Sequence, residues 1–158
     1  MDGSLRLRVA VARALEEDAA DITAWVIGEH GDAFVPLFDH VLLKGRHVRV
    51  SARQRESALA ELRDFSTRWG RLGGPRTTAS GVARMTHDLT HGRSADWTAP
   101  VAPNGEYGMS DVDVGVPVPM DARGALRVVE WGLGEAEHTA LHQAASLVRQ
   151  RVDGPGAL

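Results

Sequence analysis

The order in which apolar spacing switches between helical and strand periods limits the fold of this chain more than any other feature of it. Leu5, Val9, Ala12 and Leu15 recur at helical spacing and predict a helix over 5–17, with Ser4 as its N-cap. Residues 22–27 (ITAWVI) are β-branched and aromatic and predict a strand ending at Gly28. The mostly apolar residues 34–43 read as one or two short strands before Lys44-Gly45. Helical period returns over 50–69, with Leu59, Leu62, Phe65 and Trp69 on one face, and Gly70, Gly73, Gly74 and Pro75 end it. A further helix is predicted over 78–90, then short strands near 97–102, 112–117 and 126–131, with turns at Asn104-Gly105 and 121–124. A last helix starts near Glu135, with Leu141, Ala145, Val148 and Val152 as its apolar face. Its acids Glu135 and Glu137 lie at the positive end of the helix dipole, and Arg149 and Arg151 at the negative end. Helix, strands, two helices, strands, helix is an α+β order, not the regular βαβ alternation of a nucleotide-binding sheet.

Bulk properties narrow the class. At 158 residues the chain suits one domain, 1–158, better than two. A net charge of -3, with Lys44 the only lysine among many arginines, argues against a nucleic-acid grip. The absence of cysteine excludes disulfides, thiol nucleophiles and thiolate metal sites. No apolar run approaches the roughly 20 residues that span a bilayer, and residues 1–4 lack a signal-peptide pattern. A cytoplasmic location, with neither a membrane nor a nucleic acid as partner, is the expectation.

The segment richest in chemistry is Gly28-Glu29-His30-Gly31-Asp32, directly after the first predicted strand. Glycines beside a histidine allow a tight backbone and close approach of a ligand. A neighbouring carboxylate can fix the imidazole tautomer or stabilise its charged form. Spacing alone favours a surface histidine in a Gly/Asp turn. The pairs His87/His91 and His138/His142 are each four apart, as a two-histidine metal site requires. Neither has an evident third ligand, so solvated helix histidines and no metal are expected. Gly132-Leu133-Gly134 precedes a helix, but Glu137 stands where a third glycine would belong, and acids there repel a pyrophosphate. The chain holds no Gly-x-Gly-x-x-Gly phosphate turn.

Two blocks carry a resemblance. Trp25-Val26-Ile27-Gly28-Glu29-His30-Gly31-Asp32-Ala33-Phe34-Val35-Pro36-Leu37 resembles the catalytic-histidine signature of the lactate/malate dehydrogenase family. Gly105-Glu106-Tyr107-Gly108-Met109-Ser110-Asp111-Val112-Asp113-Val114-Gly115-Val116-Pro117-Val118, then Gly124 and Val128-Val129-Glu130, resemble its late strands. The likeness runs from about Leu5 to Val152 and is to the family's C-terminal, catalytic half. It implies an α+β domain of three to four helices packed with antiparallel strands. It also implies NAD-dependent, reversible oxidation of a small 2-hydroxy acid to the 2-oxo acid, with malate favoured over lactate because the second block looks closer to the bacterial malate branch.

The resemblance also assigns roles. His30 matches the histidine that exchanges a proton with the substrate while hydride moves to or from nicotinamide. Arg6, in Arg6-Leu7-Arg8, matches an arginine that clamps the substrate carboxylate with two parallel hydrogen bonds; a solvated helix arginine is the alternative. A family aspartate three residues before that arginine orients the histidine. Gly3 holds that place here, and Asp2, four residues before Arg6, is the candidate. Thr78 falls where the family has a small polar residue on the pocket wall, though a helix N-cap serves threonine equally well. NAD is the implied cofactor, with no residue of this chain assigned to it. The family's substrate-selecting loop, transition-state arginine and substrate-contacting carboxamide belong to its other half. The implied partners are a small 2-hydroxy or 2-oxo acid and either further copies of the chain or a separate nucleotide-binding domain. A truncated product, one half of a split enzyme, and a relic domain kept for subunit association are the three expectations for such a chain.

Overall fold

A computed structural model describes residues 2–69, 74–91, 95–121, 123–125 and 127–154. The elements are α1 (Asp2–Leu15), β1 (Ile22–Thr23), β2 (Val26–Gly28), β3 (Phe34–Pro36), β4 (Leu42–Leu43), β5 (Arg46–His47), α2 (Ala52–Trp69), α3 (Gly74–Thr90), β6 (Ala95–Val101), β7 (Val114–Asp121), β8 (Gly124–Ala125) and α4 (Glu135–Asp153). Short 3-10 turns cover Phe38–His40 and Glu106–Gly108. Among the described residues this is the expected α+β class, four helices with antiparallel sheets. The chain forms two compact units, one from Met1–Trp25 and Pro36–His87, the other from Val26–Val35 and Asp88–Leu158.

In the first unit, α1 buries Leu7, Ala10, Val11 and Ala12 and packs on α2, which buries Ala58 and Leu62. Each fully buried leucine or valine contributes about 1.5–3 kcal/mol of apolar burial. Arg13 and Glu61 tie the two helices by an ion pair. α1 begins at Asp2, so Ser4 lies inside it and is not its cap. Its C-terminus closes with Glu16 at φ 58 and a Glu17 N–H to Ala12 carbonyl bond of 2.9 Å. At α2 the cap is Ser51. Its hydroxyl receives the Gln54 N–H at 3.4 Å, and the Gln54 amide oxygen accepts the Ser51 N–H at 2.9 Å, a reciprocal capping box. On the predicted apolar face Leu59 is half-buried, and the side chains of Phe65 and Trp69 lie outside those described.

The expected strand over 22–27 is in fact two. Ile22 and Thr23 pair with Leu43 and Leu42, while Val26–Gly28 joins the other sheet. Between them the chain turns, and the Trp25 carbonyl accepts the Leu37 N–H at 3.0 Å. The β4–β5 hairpin turns through Lys44 (φ 51) and Gly45 (φ 76), completing a three-stranded sheet in the order β1-β4-β5. Helix α3 starts at Gly74 with Pro75 in its first turn, four residues before the predicted start.

In the second unit the sheet runs β3-β2-β7-β6, with β8 on β7. β6 and β7 pair from Ala95↔Met120 to Val101↔Val114. Val114, Val116 and Val118 alternate along β7 on a fully buried face, and α4 packs on β2 and β7 through Leu141, Ala144 and Ala145. Val152, expected on that face, is 64% exposed, while Ala144, not among the expected face residues, is fully buried. The expected strand over 126–131 also fails: Leu126 lies outside the described residues, and 127–131 carry no ladder. Their backbone groups bond elsewhere, Val129 N–H to the Pro117 carbonyl at 2.9 Å and Trp131 N–H to the Tyr107 hydroxyl at 2.8 Å. No helix among the described residues is long and apolar enough to cross a membrane.

Candidate active site

His30 sits exposed on the loop between β2 and β3, in the second unit. The loop departs at Gly28, whose φ of +88 disfavours any side chain. A Cβ there would also meet the Ala33 carbonyl at 3.0 Å and the Ala144 methyl at 3.3 Å. Gly28 faces Gly115 on β7, where a Cβ would fall 2.7 Å from the Gly28 carbonyl oxygen. Two glycines therefore let the root of the loop press against β7 and α4. Its two ends close on each other, with Glu29 N–H to the Ala33 carbonyl at 3.4 Å and Ala33 N–H to the Glu29 carboxylate at 3.2 Å. The Glu29 carboxylate also accepts from the Arg151 guanidinium at 2.6 Å.

Asp2, Arg6 and Thr78 belong to the first unit. Asp2 and Arg6 lie one turn apart on α1. The side chain of Asp2 lies outside those described. Arg6 and Arg8 are half-buried on either side of Leu7, which is fully buried. Thr78 is exposed and sits inside α3, four residues past its first, so the N-cap alternative is wrong.

The second unit holds a polar network that sequence reasoning did not find. Tyr107, buried and at φ 54, donates its hydroxyl to the Val129 carbonyl at 3.0 Å and accepts from Trp131 N–H at 2.8 Å. Its own N–H donates to the Glu130 carboxylate, and its carbonyl accepts from His142 Nε2 at 2.9 Å. Burial pushes the Tyr107 phenol up from its ordinary value; the Trp131 N–H pulls it down and the Glu130 charge pushes it up again. His138 stacks on His142 with ring centroids 4.5 Å apart. Among the described residues no three His, Asp or Glu side chains gather as metal ligands.

The glycines before α4 do not make a phosphate cradle. Gly134 N–H donates to the Glu137 carboxylate at 3.0 Å, so a side-chain anion already takes the N-cap N–H of that helix.

No family model matches the sequence. Among curated proteins, 95% of the chain aligns with malate dehydrogenase from Halobacterium salinarum at 32% identity, covering 50% of that protein. The chain is homologous to malate and lactate dehydrogenases. L-lactate dehydrogenase from Priestia megaterium is 26% identical over 94% of the chain and 50% of its own length. The crystal structure of malate dehydrogenase from Plasmodium falciparum in complex with NADH shares the fold at a TM-score of 0.83 and 21% identity, over 95% of this chain and 53% of that one. The chain spans about half the length of the dehydrogenases it matches.

Within that kinship, the two side chains that hold the His30 loop, Glu29 and Arg151, were not singled out as a pair by sequence. The only local signal was the glycine at 31, where a Cβ would strike the Glu29 carboxylate at 2.4 Å.

Proposed function

We propose that this chain supplies the acid/base and carboxylate-binding half of an NAD-dependent 2-hydroxy acid dehydrogenase, with malate favoured over lactate as substrate. The observation that carries the reading is the homology to malate and lactate dehydrogenases over 95% of the chain, with His30 displayed on a glycine-rooted loop. In this reading residues 1–158 act as one catalytic domain. His30 takes the proton of the substrate hydroxyl as the 2-oxo acid forms and returns it in reverse. Arg6 receives the substrate carboxylate on its planar guanidinium, Asp2 orients His30, and Thr78 lines the pocket.

NAD accepts the hydride when bound. Among the described residues the glycine-flanked start of α4 does not fit it, because the Gly134 N–H is already bonded to the Glu137 carboxylate. The cofactor is therefore assigned to a separate nucleotide-binding domain that works with this chain; further copies of the chain are the other expected partner.

The test is turnover. The purified chain, alone and with the nucleotide-binding half of a malate dehydrogenase, is offered malate or lactate with NAD. NADH formation with malate preferred supports the reading, and no turnover in any combination contradicts it. A second reading, subunit association without catalysis, rests on the exposed Leu147 and Val152 of α4, 39% and 64% accessible. Self-association without turnover would favour it.

A further inference from the structure

We propose that Glu29 is the positioning residue of the His30 loop and that Arg151, from the last turn of α4, holds its carboxylate in place. The proposal rests on the reading of His30 as the acid/base. The Glu29 side chain is only 8% exposed although its neighbour His30 is exposed. It folds back over its own loop. One carboxylate oxygen accepts the Ala33 N–H at 3.2 Å, and the other accepts from Arg151 at 2.6 Å.

Gly31 follows from this placement, since a Cβ there would lie 2.4 and 2.6 Å from the two carboxylate oxygens. With the main-chain bond from Glu29 to Ala33, the side chain closes a ring around residues 29–33 with His30 on its rim. A carboxylate this buried is costly to leave unpaired. Arg151, 60% exposed, supplies the countercharge from a solvent-screened position. The Ala33 N–H therefore makes the larger contribution, and Arg151 sets which way the carboxylate points. The conformation of the His30 loop thus depends on the C-terminal turn of a helix 122 positions away in sequence.

Amide hydrogen exchange on the 158-residue chain, followed by NMR, tests this without requiring turnover. In Glu29→Ala the Ala33 amide is expected to exchange about tenfold faster or more, with the His30 and Gly31 shifts moving toward random coil and the β6 and β7 amides unchanged. Glu29→Gln, which keeps an acceptor for Ala33, restores most of that protection, and Arg151→Ala falls between it and Glu29→Ala. Unchanged Ala33 exchange in Glu29→Ala, or acceleration spread equally over β6 and β7, would overturn the proposal. Should Glu29→Ala not fold, Arg151→Ala decides: Ala33 exchange several-fold faster supports the brace, and an unaltered rate overturns it. Where the wild-type chain turns over, kcat of Glu29→Ala falls about tenfold at unchanged KM. Absence of wild-type turnover counts against the dehydrogenase reading alone and leaves the exchange result standing.

Discussion

Replacing Tyr107 by phenylalanine removes one oxygen from the second unit and leaves its ring packed. The residue is 4% exposed, and its hydroxyl serves two backbone groups, the Val129 carbonyl at 3.0 Å and the Trp131 N–H at 2.8 Å. A buried group left without its partner costs about 1–3 kcal/mol, so two would cost about 2–6 kcal/mol if both stayed dry. Val129 and Trp131 are half-buried, and water reaching one of them brings the expected loss to about 1.5–3 kcal/mol. For a chain of this size that lowers Tm by about 4–10 °C. Urea unfolding followed by tryptophan fluorescence, with thermal melts alongside, reads both quantities. A loss below about 0.5 kcal/mol at unchanged m-value would show that the hydroxyl does not pin residues 129–131, and the account of that segment would fall.

Tyr107 is the sole tyrosine, so phenolate absorbance reports it alone. Its native midpoint is expected above the ordinary 10.0 and should return to it in denaturant; a native midpoint at or below 10.0 would contradict the burial. Because the folded value is the raised one, stability from the neutral phenol is intact below the unfolded value near 10.0. It is lost as pH rises through the folded value, so the urea midpoint should decline in that alkaline range and not below it. Gly115→Ala puts a methyl 2.7 Å from the Gly28 carbonyl and is expected to cost about 1–3 kcal/mol, read as a lowered Tm; a neutral substitution would mean that β2 and β7 separate freely at the root of the His30 loop.

The helices were largely legible because their apolar spacing is unambiguous, and α4 begins at Glu135 where its acids suggest. The failures share a cause: local sequence states a preference for extended or helical backbone, not the partner. Residues 22–27 are extended, yet their hydrogen bonds divide between two sheets at Ala24 and Trp25. Residues 127–131 look like a strand, but their donors are claimed by Pro117 and by a tyrosine more than twenty positions earlier. Gly74-Pro75 reads as a stop, and it is a start, since proline suits the first turn of a helix as well as the space after one. At the candidate site, the tight loop that carries His30 was legible from Gly28 and Gly31. Glu29 was not, because its role needs Arg151 from the far end of the chain.

The central claim is that His30 moves the substrate proton. The most direct measurement is malate-dependent NADH formation by the chain paired with a nucleotide-binding half, comparing wild type with His30→Asn. His30 is exposed on its loop, so the substitution is expected to leave the fold intact. The account predicts a fall in kcat of about 10²–10⁴-fold. Equal turnover by the two chains would contradict it.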